Sequence, residues 1–207
     1  TLMAITHAGI KRPAAIKLNQ ASSLRQAANG ADLLLITRRE FFTALTPLVA
    51  LRQSGGLSVA LVDIEDIYDE FSTGNKTPQA VKDFLGYATS SWKKKPQYVL
   101  FGGDASYDAR NYLGFGDSDL MPTKLIDTSL METASDDWLA DFDGDGVADL
   151  AIGRLPFRSA AETALIVAKI TSYEQGGQSE EMLLAADQND TYNFEQANAV
   201  LQSLIPS

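Results

Sequence analysis

Short uninterrupted runs of apolar residues alternate along this chain with segments whose apolar residues recur at helical spacing. Residues 31–37 read ADLLLIT and lie between Gly30 and two arginines, which is typical of a strand buried on both faces of a parallel sheet. A weaker apolar pattern covers residues 2–6. Similar runs predict four more strands, at residues 57–62, 98–101, 148–153 and 182–186.

The intervening segments carry helix signals. Thr77 and Pro78 occupy the N-cap and first helical positions of one segment, and Ser159 with Glu162 forms a capping box at the start of another. Helices are therefore predicted at residues 41–52, 77–92, 159–174 and 194–205, and a short helix or a turn at residues 63–71. Strands that alternate with helices predict an α/β fold, a three-layer α/β/α sandwich with a mainly parallel sheet and right-handed crossovers.

The composition excludes several classes of function. The 207 residues include 17 basic and 27 acidic side chains, and the net charge of −10 argues against binding nucleic acid or an anionic membrane. No apolar run is long enough to span a bilayer. The chain has no cysteine and a single histidine, His7. Disulfides, thiolate zinc sites, a cysteine nucleophile, a multi-histidine metal site and an internal Ser-His-Asp triad are therefore not expected within it.

The negative charge is concentrated in one segment, from Asp104 to Asp149. This segment holds eleven Asp and one Glu but only two bases, Arg110 and Lys124, so it carries the whole net charge. Its glycines and weak periodicity predict a long loop region at 104–149, which would be functional, metal-ordered or disordered. Its aromatic residues argue against simple disorder, because aromatic rings favour burial.

The strongest chemical signal in this segment is the sequence DFDGDGVAD at residues 141–149. Its carboxylates occupy positions 1, 3, 5 and 9 of a calcium loop, and glycine occupies position 6. Position 12 is Ile152 instead of glutamate and no helix flanks the loop, so the motif is not an EF-hand. Asp136 and Asp137 are candidates for a missing ligand, and the alternative is a solvated acidic turn. The predicted calcium ligands are Asp141, Asp143, Asp145, the carbonyl of Val147, and Asp149.

Weaker signals favour structural roles. Asp104 follows a Gly-Gly pair after a strand, but the pattern is not that of a dinucleotide loop, and a structural carboxylate is favoured over a general base. The acids of residues 63–66 suggest a receiver-type pocket, which the basic end of the first strand disfavours. Arg154 is expected to pair with carboxylates of the acidic segment.

Two long strings carry a resemblance to a known family. GDASYDARNYLGFGDSDLMPT at 103–123 and ETASDDWLADFDGDGVADLAIGRLP at 132–156 resemble the gingipain-type cysteine peptidases, peptidase family C25. ADLLLIT, LVDIEDIYDEFSTG and TPQAVKDFL fit the same family in order and spacing, from about Ser22 onward. The resemblance implies a caspase-like sandwich, a calcium-binding endopeptidase with a His–Cys dyad, and a secreted or surface-attached protein.

The resemblance also implies which parts of the enzyme this chain contains. Residues 1–30 would be an N-terminal extension or a linker from a preceding domain, and residues 31–207 the N-terminal part of the peptidase domain. The dyad is expected beyond Ser207, so the chain alone should contain no catalytic residue and be inactive.

Asp187 and Asp190, after the last predicted strand, are candidates for binding a basic side chain of a protein or peptide substrate. The expected partners are that substrate and the remaining half of the catalytic domain. The alternative is a non-catalytic, calcium-stabilised binding or structural module of a secreted or surface protein.

Overall fold

A parallel four-stranded sheet organises the larger part of the molecule. The computed structural model describes residues 6, 16, 18–114, 116, 119–176 and 182–205. The sheet contains β1 (Leu33–Thr37), β2 (Val59–Asp63), β3 (Tyr98–Gly102) and β6 (Ala151–Leu155), in the order β2-β1-β3-β6. All three pairings are parallel, and β1 pairs with both β2 and β3. The predicted α/β fold with a parallel sheet is therefore confirmed.

Helices cover both faces of this sheet. The α-helices that lie wholly in the larger part are α1 (Phe42–Ser54), α2 (Ile64–Ser72), α3 (Pro78–Ser91) and α4 (Asp137–Ala140). Helix α5 (Ala160–Gln175) begins there, and its last four residues belong to a second unit. One core cluster joins Leu34 and Ile36 of β1 to residues of α2, α3 and α4, and the other joins Leu35 to residues of α1 and α5. Successive residues of β1 therefore point into opposite cores, which explains its continuous apolar run.

Local sequence explains why α3 was predicted closely. The Thr77 side chain accepts a hydrogen bond from the Ala80 amide, and Pro78 begins the helix. Val81, Phe84 and Leu85 lie on the buried face and are fully inaccessible to solvent. The N-cap residue and the amphipathic face thus indicate the same helix, and its boundary can therefore be predicted from the sequence.

The acidic segment is more structured than the predicted loop. It contains an antiparallel hairpin of β4 (Lys124–Asp127) and β5 (Glu132–Ser135), followed by α4. Trp138 and Phe142 pack against the first core cluster, as expected for aromatic rings, whereas Tyr107 and Tyr112 are exposed. Elements of four residues are too short to show a period in the sequence, so they were missed.

The residues from Ser172 onward form a second compact unit. Its helix α6 (Phe194–Ser203) begins at Asn193, whose side chain accepts a hydrogen bond from the Gln196 amide. The strand predicted at 182–186 is wrong, because these residues adopt neither strand nor helix and Leu183 is 91% exposed. A single apolar run cannot form a stable strand without a partner for its backbone groups.

His7 lies outside the described residues, as does the weak strand candidate at 2–6 except for Thr6. Among the helices of the described residues, none combines the length and apolar character needed to cross a bilayer.

Candidate functional site

The acidic segment starts at the carboxyl edge of the sheet, after β3, and ends at the opposite, amino edge, before β6. The backbone of Asp104 donates to the Phe157 carbonyl, and its own carbonyl accepts from the amides of Leu120 and Met121. The Asp104 carboxylate accepts a hydrogen bond of 2.6 Å from Arg158 Nε. Asp104 therefore closes the base of the loop, and its contacts fit the expected structural role.

Arg154, on strand β6, forms hydrogen bonds with the acidic segment. Its Nε and one terminal nitrogen donate to the two carboxylate oxygens of Asp136, at 2.7 and 2.8 Å. The guanidinium also donates to the carbonyls of Gly103, Met121 and Pro122. The prediction that Arg154 pairs with a carboxylate of the acidic segment is confirmed for Asp136. Because that carboxylate is engaged by Arg154, Asp136 is not a free candidate for a calcium ligand.

The predicted calcium loop brings three of its carboxylates together. One ligand oxygen from each of Asp141, Asp143 and Asp149 lies within 4.8 Å of the others. Asp145 is outside this group, and its carboxylate accepts a hydrogen bond from the Val147 amide. Positive backbone angles at Gly144 (φ 80°) and Gly146 (φ 89°) allow the tight turns between the acids.

These residues fit a divalent cation in chemistry and in spacing. Oxygen ligands sit about 2.3–2.6 Å from a calcium ion, so two ligands of one ion lie at most about 5 Å apart. Within the described residues, no salt bridge holds any of the three carboxylates. Asp141, Asp143 and Asp149 would hold the cation. A cation bound there would relieve the repulsion between these carboxylates and fix the conformation of the loop.

A second cluster of titratable groups lies at the carboxyl ends of β1 and β2. An open cleft of about 840 Å³ is lined by residues that include Arg39, Asp63, Glu65 and Asp66. Asp63 pairs with Arg39 Nε at 2.8 Å and accepts from the Glu65 amide as the N-cap of α2. Burial raises the pKa of Glu65 and of Asp66 above their ordinary values. Asp63 is engaged by Arg39 and by the N-terminus of α2, so these contacts do not support the receiver-type phosphorylation pocket that the sequence already disfavours.

The two candidate substrate-binding acids, Asp187 and Asp190, lie in the second unit. Both are exposed. The Asp187 carboxylate accepts a hydrogen bond from the following backbone amide, and that of Asp190 accepts one from the Tyr192 amide. The described residues of this unit place no other carboxylate in contact with them, and their role stays a prediction.

Sequence reasoning missed one cavity. Lys76, Arg110 and Lys124 line a space of about 500 Å³ beside the hairpin, together with the buried Asp119. The available signal was that Arg110 and Lys124 are the only bases of the acidic segment.

Comparison with known proteins identifies the family. Residues 26–207 match peptidase family C25. The chain belongs to this family. The resemblance seen in the sequence is therefore confirmed, and it extends over the sheet, the acidic segment and the second unit.

Two solved structures share the fold of this chain. Dimeric latent PorU from Porphyromonas gingivalis superposes with a TM-score of 0.56 at 22% identity, over 70% of this chain and 16% of the PorU chain. A second structure, described as a protease, gives a TM-score of 0.53 at 18% identity, over 70% of this chain and 28% of its own. The chain thus spans less than a third of either protein. The expected caspase-like fold is confirmed. A comparison with curated proteins found no match.

Proposed function

We propose that this chain is the N-terminal portion of the catalytic domain of a gingipain-like cysteine endopeptidase. The observation that carries the proposal is the match to peptidase family C25 across residues 26–207. The chain contains no cysteine, so the nucleophile of such an enzyme has to come from another part of the parent protein. Its histidine partner would lie there as well, C-terminal to this chain.

The contribution of these residues would be structural and positional. The parallel sheet provides one part of the sandwich, and its carboxyl edge is the side on which ligand sites of such folds form. Arg154 and Asp104 fix the acidic segment to that edge. In this proposal the parent enzyme acts on proteins or peptides, and Asp187 and Asp190 help to bind a basic side chain of the substrate.

Calcium is the proposed cofactor of the acidic segment. Its support is the convergence of Asp141, Asp143 and Asp149 within 4.8 Å and the calcium-loop spacing of residues 141–149. Asp145 and the Val147 carbonyl would complete the site after a small local rearrangement. Calcium is abundant outside cells, and a secreted or surface location is proposed for the parent protein on the basis of the family resemblance.

Peptide cleavage tests the proposal. The 207-residue chain with dithiothreitol and calcium should not cleave fluorescent casein, because it has no thiol. The complete product of the gene that encodes it should cleave casein and lose this activity with iodoacetamide. Cleavage by the chain alone, unaffected by iodoacetamide, would contradict the proposal.

The second candidate function is a non-catalytic, calcium-stabilised binding or structural module. The feature that favours it is the convergence of Asp141, Asp143 and Asp149, which would stabilise a module without any catalytic residue. A complete gene product that binds calcium but shows no thiol-dependent cleavage would support this second function over the first.

A further inference from the structure

The basic side chains of the acidic segment line a cavity beside the hairpin β4–β5. Its volume of about 500 Å³ is within the range of small-molecule sites. Arg110 and Lys124 line it, and these are the only two bases between Asp104 and Asp149. Lys76, from the turn before α3, adds a third cation. The bases of a strongly acidic segment thus converge on one space.

The three cationic side chains differ in whether they already form an ion pair with a carboxylate. Lys76 Nζ lies 3.0 Å from Asp119 Oδ2 and also contacts the Asp119 carbonyl, so a buried carboxylate neutralises it. Arg110 donates to the Tyr112 hydroxyl, and the Lys124 ammonium lies 5.3 Å from the centre of the Trp138 ring. Within the described residues, neither Arg110 nor Lys124 forms an ion pair with a carboxylate.

Two buried polar groups lie in the wall of the same cavity. The Thr123 hydroxyl is buried and lacks a hydrogen-bond partner among the described residues. Asp119 is only 2% exposed, and its Oδ1 accepts from the Ser106 amide. Since a buried hydroxyl without a partner is unfavourable, a ligand that accepts its hydrogen bond would gain affinity.

The charge of the lining selects the class of ligand. The lining contains three basic side chains and two acidic ones, so its net charge is +1. The bases are Lys76, Arg110 and Lys124, and the acids are Asp119 and Glu132. A carboxylate supplies one negative charge and oxygens that accept from both a guanidinium and a hydroxyl. The side chains of Pro78, Pro122 and Leu125 provide apolar surface for an aliphatic portion.

We propose that this cavity binds a carboxylate ligand, with Arg110, Lys124 and the Thr123 hydroxyl as the groups that hold it. The carboxylate can belong to a free small acid or to an acidic side chain of a peptide. The proposal requires neither the calcium loop nor peptidase activity, so it can fail while the proposed function holds.

Nuclear magnetic resonance titration of the 207-residue chain tests this site. The probes are butyrate, with butyramide as its neutral counterpart, and acetyl-Ala-Glu-Ala-amide, with the Gln peptide as its counterpart. Saturable shifts at residues 109–112 and 123–125 are expected with a carboxylate and not with its amide. A response to the free acid and the Glu peptide, or to only one of them, supports the site and identifies the source of the carboxylate. No saturable shift with either, or saturation by inorganic phosphate alone, would overturn it.

Variants assign the binding to the named residues. Arg110→Gln together with Lys124→Gln should weaken butyrate binding by about tenfold or more, because both compensating cations are removed. Thr123→Val should weaken it several-fold without lowering the melting temperature, because this hydroxyl has no partner to lose. Lys169→Gln, on the exposed side of α5, is the matched control and should bind as the wild type does. Equal weakening by the control, or unchanged binding in both cavity variants, would refute the assignment.

Discussion

Arg154 shows how one side chain can organise a loop rich in carboxylates. Its guanidinium donates to Asp136 through two nitrogens and to three backbone carbonyls. Sequence reasoning anticipated the carboxylate partner, because Arg154 directly follows the acidic segment. The three carbonyl contacts could not be anticipated, because they depend on how residue 103 and residues 121–122 are brought together beside β6.

Replacing Arg154 should therefore destabilise the protein strongly. Arg154→Lys retains the charge but lacks the planar set of donors, and we expect a loss of about 2–4 kcal/mol in the free energy of unfolding. Arg158→Lys is the matched control, because the Arg158 side chain is largely exposed and, among the described residues, donates to Asp104 alone, so the loss should be below about 1 kcal/mol. Urea unfolding measures both values. Equal losses for the two variants would contradict the role given to Arg154.

Asp32 gives a prediction for acid stability. The Lys94 ammonium and the hydroxyl and amide of Ser58 hold the pKa of Asp32 at about 2, below its ordinary value. Because the folded-state pKa is lowered, this contribution to stability is present above pH of about 4 and is lost as the pH falls towards 2. Asp32→Asn should flatten the fall in melting temperature over that range.

The control for this pH profile is Asp83→Asn. Asp83 lies on α3, where its carboxylate accepts a hydrogen bond from Gln79 and forms no ion pair within the described residues. This variant should retain the wild-type dependence of melting temperature on pH. If Asp32→Asn also retained it, the Lys94 and Ser58 contacts would not account for acid sensitivity.

At the scale of elements, the sequence predicted those whose local and tertiary signals agree. The helix at 77–92 was predicted within one residue at either end, because Thr77, Pro78 and the buried face all indicate it. Strand β6 starts three residues later than predicted, since the calcium-loop residues and strand residues share the same apolar pattern. The hairpin β4–β5 and α4 consist of elements of four residues, which are too short for a local period to reveal them.

The end of β3 provides a test at this scale. A Cβ atom on Gly102 would lie 3.0 Å from both the Phe157 ring and the Thr37 side chain, which is closer than normal packing. Gly102→Ala should therefore reduce the free energy of unfolding by about 1–3 kcal/mol. Gly153→Ala in the adjacent strand is the control, because its Cβ would meet only Leu100 at 3.8 Å and should be nearly neutral. Similar effects of the two substitutions would argue against tight packing at the carboxyl edge.

At the scale of the whole molecule, the distribution of charge links stability to calcium. The net charge of −10 resides between Asp104 and Asp149, and the three converging carboxylates add repulsion within that segment. A cation that binds only the folded state stabilises it by mass action. The sequence predicted the loop and its ligand types, but not that Asp145 stands apart or that Asp136 is engaged by Arg154.

Calcium should raise the melting temperature of chelator-treated protein by several degrees at millimolar concentration. Asp143→Asn with Asp149→Asn should abolish this shift, whereas Asp69→Asn, at an exposed position of α2, should leave it unchanged. Differential scanning fluorimetry with calcium, and with magnesium for comparison, measures the effect. No shift in the wild-type protein would refute the calcium proposal without affecting the family assignment.

The most direct test of the account is to locate the nucleophile of the complete gene product. The protein is treated with iodoacetamide until casein cleavage is lost, and the alkylated residue is identified by mass spectrometry. We predict one cysteine, outside these 207 residues, whose alkylation parallels the loss of activity. Cleavage that persists after every cysteine is alkylated would contradict it.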